Sequence, residues 1–259
     1  AAVTSCMRVT FLSQSAFYYT GYSRIVGYDF LDLLMFVFLF DIIGSKSIGR
    51  QHMQHLDYSQ QDTWRQADDT PFQSPIDINQ QQSKPVMASA MTLTFQGQTT
   101  YDDRIVGEQF LVNGTLQLDG ETWQLERFHF HDGAEHLIDG QRHDAEIHFV
   151  CRQGERVLVL AVLADVASDV TSTPIQAILN GPVAAQTLVG LLPTDRAYFR
   201  YVGSLTTPPL GQDVTWLVLA QPIGMTAADT ALLHARYPEN YRDVQALAGR
   251  EILYVSGKK

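Results

Sequence analysis

The tetrapeptide Phe128-His129-Phe130-His131 concentrates metal-ligating chemistry in a chain with eight histidines. Residues two apart in a strand face the same side, so as a strand this segment aims both imidazoles one way and both phenyl rings the other. Asp139-Gly140 is a two-residue hairpin signal, after which the chain runs back through Ala145-Glu146-Ile147-His148-Phe149-Val150. An adjacent strand there brings His148 alongside the pair. Three neutral imidazoles around one divalent ion leave a corner of a tetrahedron for water, the arrangement of a catalytic zinc site. Glu146 lies two residues before His148 and shares its face, where a carboxylate can accept the outer ring N–H and fix the tautomer.

The same residues allow two other readings. They fit ordinary strand histidines satisfied by hydrogen bonds. They also fit a cupin-like barrel in which His129, His131, Glu135 and His148 hold iron or manganese for oxygenase chemistry. The pairing of Glu146 with His148, and the lack of cupin-type glycine and proline punctuation, favour zinc.

The elements that must position these residues are mostly strands. Alternating segments at 91–95, 108–112, 116–131, 145–150, 157–166 and 214–220 are separated by turn signals, with Asp119-Gly120 a second strong hairpin signal and Asn113-Gly114 a weaker one. Helical pattern is confined to 174–180, stopped by Gly181, and to 226–236, where Thr226 is placed to cap and Asp229 stands at the third helical position. The fold class expected is α+β and mostly β: a single domain with a large, mainly antiparallel, twisted sheet and a few short peripheral helices. Across 259 residues the hydrophobic fraction of 45% and charged fraction of 18% exclude disorder as the main state. The net charge of −10 opposes a phosphate backbone, so no nucleic-acid partner is expected. Two cysteines, Cys6 and Cys151, are too few for a disulfide framework or a thiolate zinc site.

Beyond the histidines, the ordered motifs Gln73-Ser74-Pro75-Ile76-Asp77-Ile78, Glu135-His136, Glu146-Ile147-His148, Gly203-Ser204-Leu205-Thr206-Thr207-Pro208-Pro209, Val214-Thr215-Trp216 and Asn240-Tyr241-Arg242 cover roughly 58–255. Together they resemble the α-class carbonic anhydrase family, in its bacterial type. The resemblance implies zinc-dependent, reversible hydration of carbon dioxide to bicarbonate and a proton through attack by zinc hydroxide. It implies His129, His131 and His148 as Zn²⁺ ligands, Glu146 orienting His148, and the backbone around Asn240 orienting a second ligand. Thr206 would accept a hydrogen bond from the hydroxide and donate its own to Glu135. Val150, Val159, Leu205, Thr207 and Trp216 would form the substrate wall, and sulfonamides and anions would inhibit. A catalytically silent member of the family is the alternative, set against the presence of all three ligand histidines.

Two departures from the family pattern matter. Arg127 stands where the family has a glutamine that accepts from a ligand imidazole; guanidinium has no acceptor, so that bond must come from a carbonyl or water, and a lower zinc affinity is expected. Glu108 aligns with the proton-shuttling histidine; a carboxylate near pKa 4.3 matches a donor near 7 poorly, so slow proton export is expected. His136, His143, His52 and His55 are substitute relays. Residues 1–52 form an N-terminal extension, to which no role is assigned, ahead of a catalytic domain over 53–259, with Met53 the expected natural start. The longest uncharged apolar run, Leu33–Phe40, is too short to span a membrane, for which about 20 residues are needed. A cytoplasmic location is expected, with secreted or periplasmic the alternative if 1–52 acts as a signal segment.

Overall fold

The computed structural model describes residues 55–257 apart from 67, 88 and 89; residues 1–54, which carry the extension, His52 and Met53, lie outside them. A 3₁₀ turn at Tyr58–Thr63 precedes short strands β1 (Asp77–Ile78) and β2 (Lys84–Val86). Three long antiparallel strands follow, β3 (Met91–Arg104), β4 (Gly107–Leu118) and β5 (Glu121–Asp132). Next come β6 (Leu137–Ile138), β7 (Gln141–Arg142), β8 (Ala145–Gln153) and β9 (Arg156–Val166). The remainder is helix α1 (Ile175–Asn180), strands β10 (Tyr198–Gly203), β11 (Val214–Leu219) and β12 (Ile223–Met225), helix α2 (Ala227–Arg236), and β13 (Leu253–Val255).

One large sheet runs β2-β13-β10-β11-β9-β8-β5-β4-β3, with β12 on β9. It is mixed: β11 and β12 run parallel to β9, and β13 runs parallel to β2, while the other pairs are antiparallel. This is the α+β, mostly β architecture expected, and not a barrel of the cupin kind. No helix among the described residues is long and apolar enough to cross a membrane.

Strand periodicity divides the core into two faces. Along β9, Leu158, Leu160, Val162 and Ala164 pack on one side with Phe128, Phe130, Ile147 and Phe149. Val159, Ala161 and Leu163 pack on the other with Val150 and Trp216. The histidines of β5 and β8 lie on this second face because the phenylalanines between them take the first. Asp119-Gly120 and Asp139-Gly140 both turn with positive φ, as read from sequence. Asn113-Gly114 does not turn. It lies inside β4 opposite Gln96 and Phe95, where a Cβ on Gly114 would strike the Thr94 carbonyl oxygen. Glycine there serves close backbone approach. Thr226 caps α2 in a reciprocal pair with Asp229.

Candidate metal centre

Register brings the three histidines together. β5 and β8 pair antiparallel with His129 opposite His148 and His131 opposite Glu146. The ring centroids lie 5.0 Å (129 to 131), 5.1 Å (129 to 148) and 4.5 Å (131 to 148) apart. One nitrogen from each ring lies within 4.8 Å of the others.

The hydrogen bonds fix which nitrogens face inward. The Nδ1 of His131 is 2.6 Å from the backbone carbonyl of Asn240, and the Nε2 of His148 is 2.7 Å from Oε1 of Glu146. A carbonyl and a carboxylate only accept, so each ring spends its proton on its outer partner. The inward Nε2 of His131 and Nδ1 of His148 then face each other as lone pairs 3.1 Å apart. Two proton-free nitrogens have no attraction at that distance, whereas Zn–N bonds of about 2.0–2.1 Å at tetrahedral angles put ligand nitrogens about 3.3 Å apart. Burial, ahead of the neighbouring rings, holds His129 well below the ordinary imidazole pKa; His131 is also lowered, chiefly by burial. Both are neutral and available to a cation. The donor set fits a divalent metal.

The outer layer is built from distant segments. Glu146 is fully buried, and His136 and His148 hold its carboxyl well below the usual range although burial opposes them. The ring and backbone N–H of His136 both bind Glu146, at 2.7 and 2.8 Å, so this second cluster of His136, Glu146 and His148 is a hydrogen-bonded support. Asn240 also accepts the Asp132 N–H at 2.7 Å. His129 lacks such support: its Nδ1 is buried with no partner. Arg127, on the same face two residues earlier, instead donates to Gln109 at 3.2 Å. Among the described residues no carbonyl takes the place of the glutamine at that nitrogen.

Glu135 does not join the histidines as a ligand, contrary to the cupin-like reading. Its Oε1 accepts the Arg242 N–H at 2.8 Å, and its Oε2 stands 3.6 Å from His131 and 3.9 Å from His148. That Oε2 is buried and unpartnered. Thr206, whose hydroxyl was expected to donate to Glu135, lines a pocket together with His129, His131 and His148, and the hydroxyl does not reach Oε2. Val150, Val159, Leu205, Thr207 and Trp216 line that pocket. Trp216 is fixed by its indole N–H, which donates to the Ser204 carbonyl at 2.9 Å.

Glu108 also lines the pocket but is engaged elsewhere. It accepts from Tyr101 at 2.6 Å, from Tyr237 at 2.6 Å and twice from Arg236 at 2.5 and 3.2 Å. Burial raises its pKa, but these hydrogen bonds outweigh that and leave the group lowered. The same cluster, with burial as the main cause, pushes Tyr101 up to about 12. So held, the carboxylate accepts four hydrogen bonds from three side chains. Sequence reading missed Tyr58, Gln109, Arg236 and Tyr237, which join the site through tertiary contacts and carry no local signal.

Comparison with known proteins agrees with this geometry. Residues 59–256 match the sequence profile of the eukaryotic-type carbonic anhydrases. A carbonic anhydrase from Pectobacterium carotovorum is 34% identical over 201 residues, covering 70% of this chain and 79% of that protein. The structure of the Photobacterium profundum alpha-carbonic anhydrase superposes with a TM-score of 0.66 at 31% identity, over 74% of this chain and 93% of that one. The alpha-carbonic anhydrase of Thermovibrio ammonificans, in complex with the inhibitor sulfanilamide, gives a TM-score of 0.64 at 27% identity, over 71% and 87% of the two chains.

Proposed function

The chain belongs to the eukaryotic-type, or alpha, carbonic anhydrase family, and from that membership we propose that it hydrates carbon dioxide reversibly, with Zn²⁺ held by His129, His131 and His148. The observation that carries the metal assignment is the pair of inward, proton-free nitrogens at 3.1 Å with the third ring beside them. Bound there, zinc supplies a water whose pKa falls from 15.7 to about 7.

The side chains do the rest. Glu146 and the Asn240 carbonyl hold two imidazoles in the tautomer that presents a lone pair inward. A threonine hydroxyl has one proton. Once Thr206 gives it to the vacant Oε2 of Glu135, Thr206 is left as an acceptor and selects a nucleophile that still carries a proton. The Arg242 N–H fixes Glu135 for this task, and the unpartnered Oε2 supports the assignment. Val150, Val159, Leu205 and Trp216 offer a small apolar gas a wall without a polar competitor, and Thr207 borders it. Aryl sulfonamides fit as inhibitors because a sulfonamide anion keeps one N–H to donate to Thr206; sulfanilamide in the Thermovibrio ammonificans relative supports that reading. Small anions fit the same position.

Metal analysis followed by stopped-flow hydration of carbon dioxide tests the proposal. One zinc per chain and turnover abolished by an aryl sulfonamide are expected. A zinc-loaded protein that leaves the hydration rate at the buffer background overturns it and favours a silent binding module.

A further inference from the structure

The His131 ring is held from a segment 109 positions away, and that segment is in turn fastened to the residue next to His131. We infer that Asp132 is a positioning residue for metal binding: its carboxylate sets the turn that carries the Asn240 carbonyl, and His234 sets the carboxylate. The inference rests on the reading above that His131 is a zinc ligand.

The free edge of β5 shows why the segment docks there. β4 pairs with β5 only as far as Phe110 opposite Phe128, while β8 stays paired on the other side through Asp132. Backbone groups on an edge left open need partners. Asn240 supplies them: its side-chain oxygen accepts the Asp132 N–H at 2.7 Å and its side-chain nitrogen donates to the Phe130 carbonyl at 2.9 Å. One amide thus bridges both sides of His131 as a rung of a strand would. The main-chain carbonyl of the same residue takes the ring Nδ1–H at 2.6 Å. Where that carbonyl sits decides where the inward Nε2 points.

The turn that leads into Asn240 is not self-sufficient. The Asn240 N–H donates to the Tyr237 carbonyl at 3.2 Å, which makes Pro238 and Glu239 the central pair of a tight turn. Glu239 has a φ of +52, a conformation that such turns ordinarily give to glycine or asparagine and that a glutamate Cβ disfavours. The Glu239 N–H donates to Oδ2 of Asp132 at 3.1 Å, which fastens the turn at its disfavoured residue. His234, in the last turn of α2, lies with Nδ1 2.8 Å from the same oxygen; a carboxylate accepts, so Nδ1 carries the proton. Side-chain exposures of 9% for Asp132 and 66% for His234 show the imidazole covering the carboxylate from the solvent side. Asp132 alternates with His131 and reaches α2 on the face of β5 away from the three histidines, so it acts on the metal through the turn. Two residues beyond Asn240, the Arg242 N–H holds Glu135, and the same turn delivers that group as well.

The test measures zinc affinity by competition against a chromophoric chelator and reads the ring nitrogens of the metal-free full chain by histidine ¹⁵N NMR. Asp132→Ala should weaken zinc binding about 10–100-fold, the range for loss of an outer partner of a ligand histidine. It should also mix the Nδ1-protonated and Nε2-protonated forms of His131 while His148 stays protonated at Nε2. Asp132→Asn keeps an oxygen for the Glu239 N–H and should recover most of the loss. Glu239→Gly, added to Asp132→Ala, lets the turn form unaided and should recover part of it. Asp132→Ser, too short for either contact, replaces Asp132→Ala if the alanine variant does not fold. Zinc affinity within about twofold of the parent in the short variant overturns the inference and leaves zinc at the three histidines standing. An equal disturbance of His131 and His148, failure of both Asp132→Asn and Glu239→Gly to recover affinity, or failure of both short variants to fold marks a general structural role and also overturns it. A parent that takes up no zinc overturns the metal reading and this inference together.

Discussion

Replacing Arg127 with glutamine should tighten zinc binding. The Nδ1 of His129 is buried without a partner, and a buried donor left unsatisfied costs about 1–3 kcal/mol. In the metal-bound state that nitrogen must carry the ring proton, so only the part of the penalty that the metal-free tautomer escapes falls on binding, and about 1–3 kcal/mol is its upper bound. At 1.4 kcal/mol per decade it corresponds to roughly 5- to 150-fold in the zinc dissociation constant, in line with the 10–100-fold found when outer partners of ligand histidines are altered. Residue 127 lies on the same face as His129, two positions away, which puts an amide oxygen within reach of the orphan. Arg127 is also one of the charges that disfavour a cation at His129, so part of any gain comes from removing it. Arg127→Met separates the two effects by removing the charge without supplying an acceptor. Competition against a chromophoric chelator gives both constants. Glutamine binding zinc at least about fivefold tighter than methionine is the expected result; equal constants refute the hydrogen-bond argument.

The remaining predictions concern the rest of the site. Glu146→Gln should weaken zinc binding about 10–100-fold without changing the far-ultraviolet circular dichroism, because the amide no longer draws the His148 proton outward as a carboxylate does. Thr206→Ala should lower kcat/KM about 10²-fold at unchanged zinc content, as for loss of one preorganised hydrogen-bonding group at a reacting centre. Glu108→Gln should cost about 2–3 kcal/mol in urea unfolding at pH 7, below the 3–5 of a fully buried pair because Arg236 is partly exposed. Since the folded-state pKa of Glu108 is lowered from its ordinary 4.5, that stability is present above pH 4.5 and is lost as pH falls through the folded value. The gap between parent and variant should therefore shrink in acid, and a gap constant down to pH 3 contradicts the assignment.

What the sequence disclosed and what it hid divide along the range of the interaction. A period of two fixes which side of β5 and β8 each residue takes, so His129, His131, His148 and Glu146 were legible as one constellation before any fold was drawn. The Asp139-Gly140 turn supplied the reversal. The Asn240 carbonyl and the Arg242 N–H, by contrast, reach His131 and Glu135 across 109 and 107 positions from an irregular segment with no periodicity. There only resemblance to a family pointed to them. The parallel placement of β11 on β9 was likewise hidden, because nothing local encodes what a connection of nearly fifty residues between them will do. Asn113-Gly114 failed for the opposite reason: the local turn signal was real, but the glycine answers to the neighbouring strand at Thr94. Glu108 shows the functional consequence. Alignment alone put it at the shuttle position, yet Tyr101 from β3 and Arg236 and Tyr237 from the end of α2 convert it into an anchor. A carboxylate that accepts from three side chains is set by two elements remote in sequence, and nothing in the local pattern around residue 108 announces them.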